Sequence, residues 1–321
     1  MIDFRYHLVS IVAVFLALAI GIVLGTSMGP AVTKTVKSHS LEDLRSDNET
    51  LRADQREAQR QSDNSNQVIG ALSPQMVAKQ LTGQRIVLVE APGANEDARD
   101  HVADLVRKAG GTITGVVVVQ NKYLDASQDN VIDGLVDQLR PSGLELPKGT
   151  PRDRAAAEIT DAVVTDKASR AGQEETSSDT ILSGYRDAGY ISTSGNPAAR
   201  ATLAMMLSPQ AAYTGPNADT SNTALVSLAK ALDAGGNGAV VGGSTASTTT
   251  GGMLAALAED SAAVSKVSTV NNIDYTSGQV VSVYALAAEN KGRTGQYGTA
   301  ATPVPSPAPQ LQGATKTKGK S

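Results

Sequence analysis

Two glycine-bearing turns are the places where this chain could meet a small ligand. Pro92-Gly93 follows one apolar run and Gly242-Gly243-Ser244-Thr245 follows another. Loops at the carboxyl ends of parallel strands form the usual ligand crevice of an open α/β sheet, so Pro92, Gly93, Gly243 and Ser244 are the candidate binding residues. Neither turn carries the full glycine fingerprint of a dinucleotide site or the lysine of a phosphate loop. A plain flexible connection therefore stays open beside the binding reading.

Catalysis has thinner support. The three histidines are His7, His39 and His101, and none stands beside a nucleophile and an orienting acid in the sequence. With no cysteine, thiol nucleophiles, cysteine-held zinc and iron-sulfur clusters are excluded. Soft-metal chemistry would need thioethers, but Met28, Met76, Met205, Met206 and Met253 are dispersed. On a helix the adjacent pair Met205-Met206 would diverge by about 100° and pack into different neighbours. Acidic groups such as Glu96, Asp97 and Asp100 alternate with Arg99 and read as a solvated face. No catalytic residue, no cofactor and no metal ligand can be nominated, so the expectation is a protein that is not an enzyme.

Net charge is −4, from 28 basic and 32 acidic residues, which gives no general attraction to nucleic acid. Aromatic residues make up 3%, too few for the two interfacial girdles of an outer-membrane barrel. The elements that must position any site begin at the amino terminus. Residues 8–25, LVSIVAVFLALAIGIVLG, carry no charge, and 18 residues at about 1.5 Å each nearly match a hydrocarbon core of about 30 Å. Gly29-Pro30-Ala31 loosely fits a cleavage site, but the apolar run exceeds the usual signal-peptide length, which favours an uncleaved anchor. Flanking charges do not fix its orientation. The seven-residue leader favours a cytoplasmic amino terminus and an external soluble bulk. Within the span Ala13, Ala17, Gly21, Gly25 and Gly29 recur every fourth residue, which would let two anchors approach closely.

Residues 38–66 are charged and free of glycine, and a heptad with Leu41 at a places Leu44, Leu51 and Ala58 at d. Asn48 at a, and Asp47 at g facing a partner's e-position Arg52, suit a parallel two-stranded pair; a solvated single helix acting as a spacer is the other reading. The seam turns polar after Ala58. Further on, 84–90 reads as a buried strand, Asn95 caps a helix ending near Gly110-Gly111, and 112–119 is the next strand. Residues 128–206, including the apolar 201–207 segment, look mostly helical. Strand and helix patterns then alternate at 223–232, 238–241, 253–258, 266–270 and 278–289. The expected class is α/β: an N-terminal transmembrane helix and short coiled coil followed by a Rossmann-like domain with a mainly parallel sheet. Boundaries fall at 1–31 for the anchor, 32–67 for the stalk and 68–298 for the soluble domain, with a disordered tail rich in proline and lysine at 299–321.

The leader MIDFRYH, the span ending LAIGIVLG, the strand-turn QRIVLVEAPG, VSTVNNIDYTSGQVVSVYAL and GRTGQYG together resemble the actinobacterial copper transporter family MctB, over nearly the whole chain up to the tail. The resemblance implies a role in copper homeostasis or efflux at the outer membrane. It carries no copper ligand onto any numbered residue here. A single helix cannot enclose a pore, since a hydrated path needs several helices or a closed barrel. The expected protein is a membrane-anchored homo-oligomer, paired through Ala17, Gly21, Gly25 and the Leu44/Asn48/Leu51 seam. Alternatives are an envelope scaffold that docks another envelope protein, with no metal role, and a small-molecule-sensing α/β domain.

Overall fold

The computed structural model describes residues 4–298, with side chains described at 13–20, 22 and 44–298. The side chains of His7, His39 and Leu41, the surroundings of Gly21 and Gly25, and the whole expected tail 299–321 lie outside the described residues. Contacts divide the chain into one unit up to Ser65 and another from Asn66 onward.

The first unit lies on α1 (Phe4–Val77), a helix of 74 residues. From 31 to 69 the sequence has neither glycine nor proline and is dense in Glu, Arg, Gln, Ala and Leu, all good helix formers. The expected anchor and stalk thus share one unbroken helix. In its described part Val14, Phe15, Leu16, Leu18, Ile20 and Ile22 are exposed, and so are Leu44 and Leu51. Among the described residues no helix is long and apolar enough to cross a membrane. Of the expected span 8–25, only side chains 13–20 and 22 are described.

The second unit begins with the last turns of α1. Val77 is buried, Ile69 and Met76 pack against the same core, and Lys79 at φ 64° turns the chain away. Next come β1 (Arg85–Glu90), α2 (Glu96–Lys108) and β2 (Thr112–Val119). They are followed by α3 (Asn121–Leu124), α4 (Asp129–Leu139), α5 (Pro151–Val163), α6 (Thr176–Asp187), β3 (Ile191–Gly195) and β4 (Leu203–Leu207). The unit closes with α7 (Ala218–Gly235), β5 (Ala239–Gly242), α8 (Met253–Glu259), α9 (Ser261–Val264), β6 (Ser268–Val270), α10 (Thr276–Glu289) and β7 (Gln296–Tyr297).

Among the described residues the strands form one seven-stranded sheet in the order β3-β2-β1-β4-β5-β6-β7. All neighbours are parallel except β2 and β3. The sequence expectation of a mixed α/β fold with a mainly parallel sheet holds. One face of the sheet, with Val87, Val89, Met206 and Val241, packs with residues of α4 to α8; the other, with Ile86, Leu88, Met205 and Val240, packs with residues of α1, α2 and α10. Asn95 caps α2 as expected, its Oδ1 accepting from the Ala98 N–H at 3.1 Å.

One expectation is corrected. The 201–207 segment is not helical: Leu203–Leu207 is β4, fully buried between β1 and β5 at the centre of the sheet. A strand covered on both faces has no alternation, so its apolar run carries no periodicity to separate it from a buried helix. The strand β3 was also not foreseen. It is an antiparallel edge of sequence ISTSG, too polar and too short to register.

Candidate functional site

The strand order reverses between β1 and β4, so a ligand crevice would open outside the carboxyl ends of these two strands. Pro92 and Gly93 follow β1, and Gly243 and Ser244 follow β5 on the far side of β4. The structure does bring the four together, by way of residues 208–213, which leave the end of β4 and lie between the two turns. Tyr213 Oη donates to the Pro92 carbonyl at 3.1 Å, and the Gln210 N–H donates to the Gly93 carbonyl at 2.9 Å. From the other side Ser244 Oγ donates to the Gln210 carbonyl at 2.6 Å.

Deeper down, Ser208 Oγ and Ser247 Oγ are 2.9 Å apart, and Ser247 Oγ donates to the Pro209 carbonyl at 2.7 Å. A side chain at 243 would collide with Ser208 Oγ and come within 2.9 Å of Ser247 Oγ, so Gly243 lets the β4 and β5 loops close on one another. Gly93 serves the turn itself. Its φ is 82° and nothing lies within 4 Å of where its Cβ would be. The polar groups of the crevice are thus spent on the chain's own backbone. Burial pushes the Tyr213 phenol up to about 12, so it acts as a neutral donor.

At the end of β1, Glu90 is buried and accepts from Arg99 Nη1 at 2.7 Å, an ion pair that occupies this carboxylate. His101 lies exposed on α2. Met205 and Met206 point to opposite faces of the sheet and enter separate cores, so they diverge because of strand alternation, not helical pitch. Met253 is also buried. Among the described residues no group of three or more His, Cys, Asp or Glu is placed to hold a metal ion.

An open cleft of about 820 Å³ lies elsewhere, with α5 and α7 as walls and the 144–148 loop as one lip. Asp153, Thr160, Asp161, Lys148, Lys167 and Lys230 are among the residues that line it. Several of these groups are already engaged. Asp153 accepts from Ser227 Oγ at 2.6 Å and from the Thr150 N–H at 2.8 Å, while Lys230 pairs with Asp260 at 2.9 Å. Burial alone would raise the Asp153 carboxyl, but the hydrogen bonds from Ser227 and Thr150 outweigh it and hold the group below the usual carboxylate range. Sequence reasoning missed this cleft. Its one legible sign is Thr150-Pro151-Arg152-Asp153, a capping box that the structure forms in full at the start of α5.

Comparison with known proteins gives the wider frame. The protein named "Copper transporter MctB" from Mycobacterium tuberculosis (strain ATCC 25618 / H37Rv) is 27% identical over 308 residues, covering 93% of this chain and 96% of that protein. Its namesake from Mycobacterium leprae (strain TN) is 26% identical over 331 residues, with the same shares covered. A family model described as "Copper transport outer membrane protein, MctB" matches residues 1–305, and the chain belongs to that family.

Proposed function

We propose that this chain is a membrane-anchored envelope protein of copper homeostasis, acting in copper efflux, with its α/β unit outside the cytoplasm. The observation that carries the reading is family membership over residues 1–305. The exposed run Val14, Phe15, Leu16, Leu18, Ile20 and Ile22 supports the anchor. Exposed apolar groups in such density are costly in water and favourable in lipid. The anchor crosses once, through 8–25, and two copies pair through Ala17, Gly21 and Gly25 and the Leu44/Asn48/Leu51 seam.

A single helix cannot line a hydrated path, so copper passage through this protein alone would require an assembly of several copies. Met205, Met206 and Met253 are buried and Met76 packs half-buried against the core, and the role fits support of copper export better than direct carriage. Copper tolerance and cell-associated copper in a strain lacking the gene, complemented with the full chain, test the reading. Copper hypersensitivity with raised internal copper, reversed by the full chain, is the expected result. Unchanged copper tolerance together with altered envelope assembly would replace it with a scaffold role.

A further inference from the structure

Between α5 and α6 lies a carboxyl group that neither the crevice nor the cleft uses. Glu158 and Tyr185 are both fully buried, and Tyr185 Oη donates to Glu158 Oε2 at 2.8 Å. The other carboxyl oxygen, Glu158 Oε1, has no partner; nor do Tyr123 Oη on α3 and Ser178 Oγ on α6. A buried carboxylate with one neutral donor and no contacting cation pays most of its desolvation cost uncompensated.

Beyond the Tyr185 hydrogen bond the surroundings offer little relief, and burial outweighs it. On α5 itself, the Arg154 charge favours ionisation of Glu158, but its guanidinium is paired with Asp133 and Asp137 of α4. Asp137 and Asp161 both disfavour charge on Glu158, and Asp161 answers Arg200. From α7, Lys230 turns to Asp260. On α6, Asp179, Arg186 and Asp187 stand exposed.

We propose that Glu158 and Tyr185 form a proton-operated latch, which holds α6 on α5 while Glu158 keeps its proton and frees α6 when the proton leaves. Ionisation favours any arrangement in which water reaches the carboxylate, and α6 is the element able to yield. It leads directly into β3, the antiparallel edge strand, so α6 and β3 can open from the edge of the sheet while its centre stays paired, at the cost of exposing Ile181, Leu182 and Tyr185. Ser178 already lacks a hydrogen-bond partner on the same helix, which lowers the cost of opening.

Burial places the Glu158 carboxyl at about 7, within reach of ordinary pH change. The test is hydrogen exchange of residues 176–187 in the full-length protein at pH 6 and pH 8, corrected for intrinsic exchange, alongside a carboxyl NMR titration of Glu158. Opening of α6 is expected to be roughly tenfold more frequent at pH 8 than at pH 6, by proton linkage between a closed and a hydrated carboxyl. Glu158→Gln keeps an acceptor for Tyr185 and cannot ionise, so its α6 should be equally protected at both pH values. Equal opening of the parent at the two pH values would overturn the latch, as would the parent's pH dependence persisting in Glu158→Gln. The titration needs no variant: a Glu158 carboxyl that titrates below pH 5 would overturn it as well.

Discussion

Leu16 and Leu18 on α1 and Leu203 and Leu207 on β4 are the same residue type in opposite circumstances. The first pair is exposed by more than half, at 56% and 58%, and the second is buried. In the α/β unit the apolar side chains of β4 alternate between two packed faces of the sheet, so its hydrophobic free energy is already realised on folding. On the described part of α1 it is not. The contrast teaches that the second unit satisfies its apolar residues by folding on itself, whereas the described apolar residues of the first, Val14 to Ile22, remain exposed.

Placing charge on the exposed run should break that contrast most strongly. Phe15→Arg combined with Leu18→Arg puts two cations where an anchor would meet hydrocarbon, at about 3 kcal/mol each on insertion scales, hence about 6 kcal/mol together. Membrane fractionation of the full chain should show loss of the membrane-bound form while the thermal unfolding of the α/β unit is unchanged. Retention of the double variant in the membrane pellet at the parent level would mean that the run is not an anchor.

The matching change in the other unit is Met206→Ala. Met206 is fully buried, between Val89 of β1 and Val241 of β5. Truncation should destabilise the protein by about 2–5 kcal/mol, through lost transfer energy and a residual cavity. Denaturant unfolding measures it. Copper binding, if the thioether were a ligand, would fall with the variant; the packing reading expects no change in a copper titration of the folded protein.

Much of this architecture was legible because local patterns agreed with the final environment. The 84–90 and 112–119 runs, the Asn95 cap and the late alternation of strands and helices all became elements close to their expected bounds. What escaped was decided by neighbours far away in sequence. β4 is a strand because β1 and β5 flank it, and β3 is one because β2 offers it an edge; neither fact is written in five residues. The crevice fared similarly. Glycine and proline marked the turns at 92–93 and 242–243, yet nothing in those turns announced that 208–213 would lie between them, bonded to both. The cleft between α5 and α7 depends on where two helices settle, which only its capping box hinted at.

A smaller effect sharpens the comparison within the α/β unit itself, where Glu289 is a buried acid on the opposite side of the sheet from Glu158. Ser268 Oγ donates to Glu289 Oε1 at 2.5 Å, so this carboxyl has support, but burial still lifts it to about 7, with the Asp233 charge adding to the rise. It also sits in the last turn of α10, where the helix dipole disfavours a negative charge. Since the folded carboxyl lies above its usual value of 4.5, the folded protein binds this proton more tightly than the unfolded chain does. Stability from this group is therefore greatest below about pH 4.5, falls as pH rises to about 7 and is flat above it. Glu289→Gln removes the dependence, and the gap between variant and parent should widen by on the order of 2 kcal/mol between pH 5 and pH 8. Chemical denaturation of both proteins across that range reads the difference directly. Parallel stability curves would mean that Glu289 is ionised throughout this range, its buried charge compensated by the hydrogen bond from Ser268.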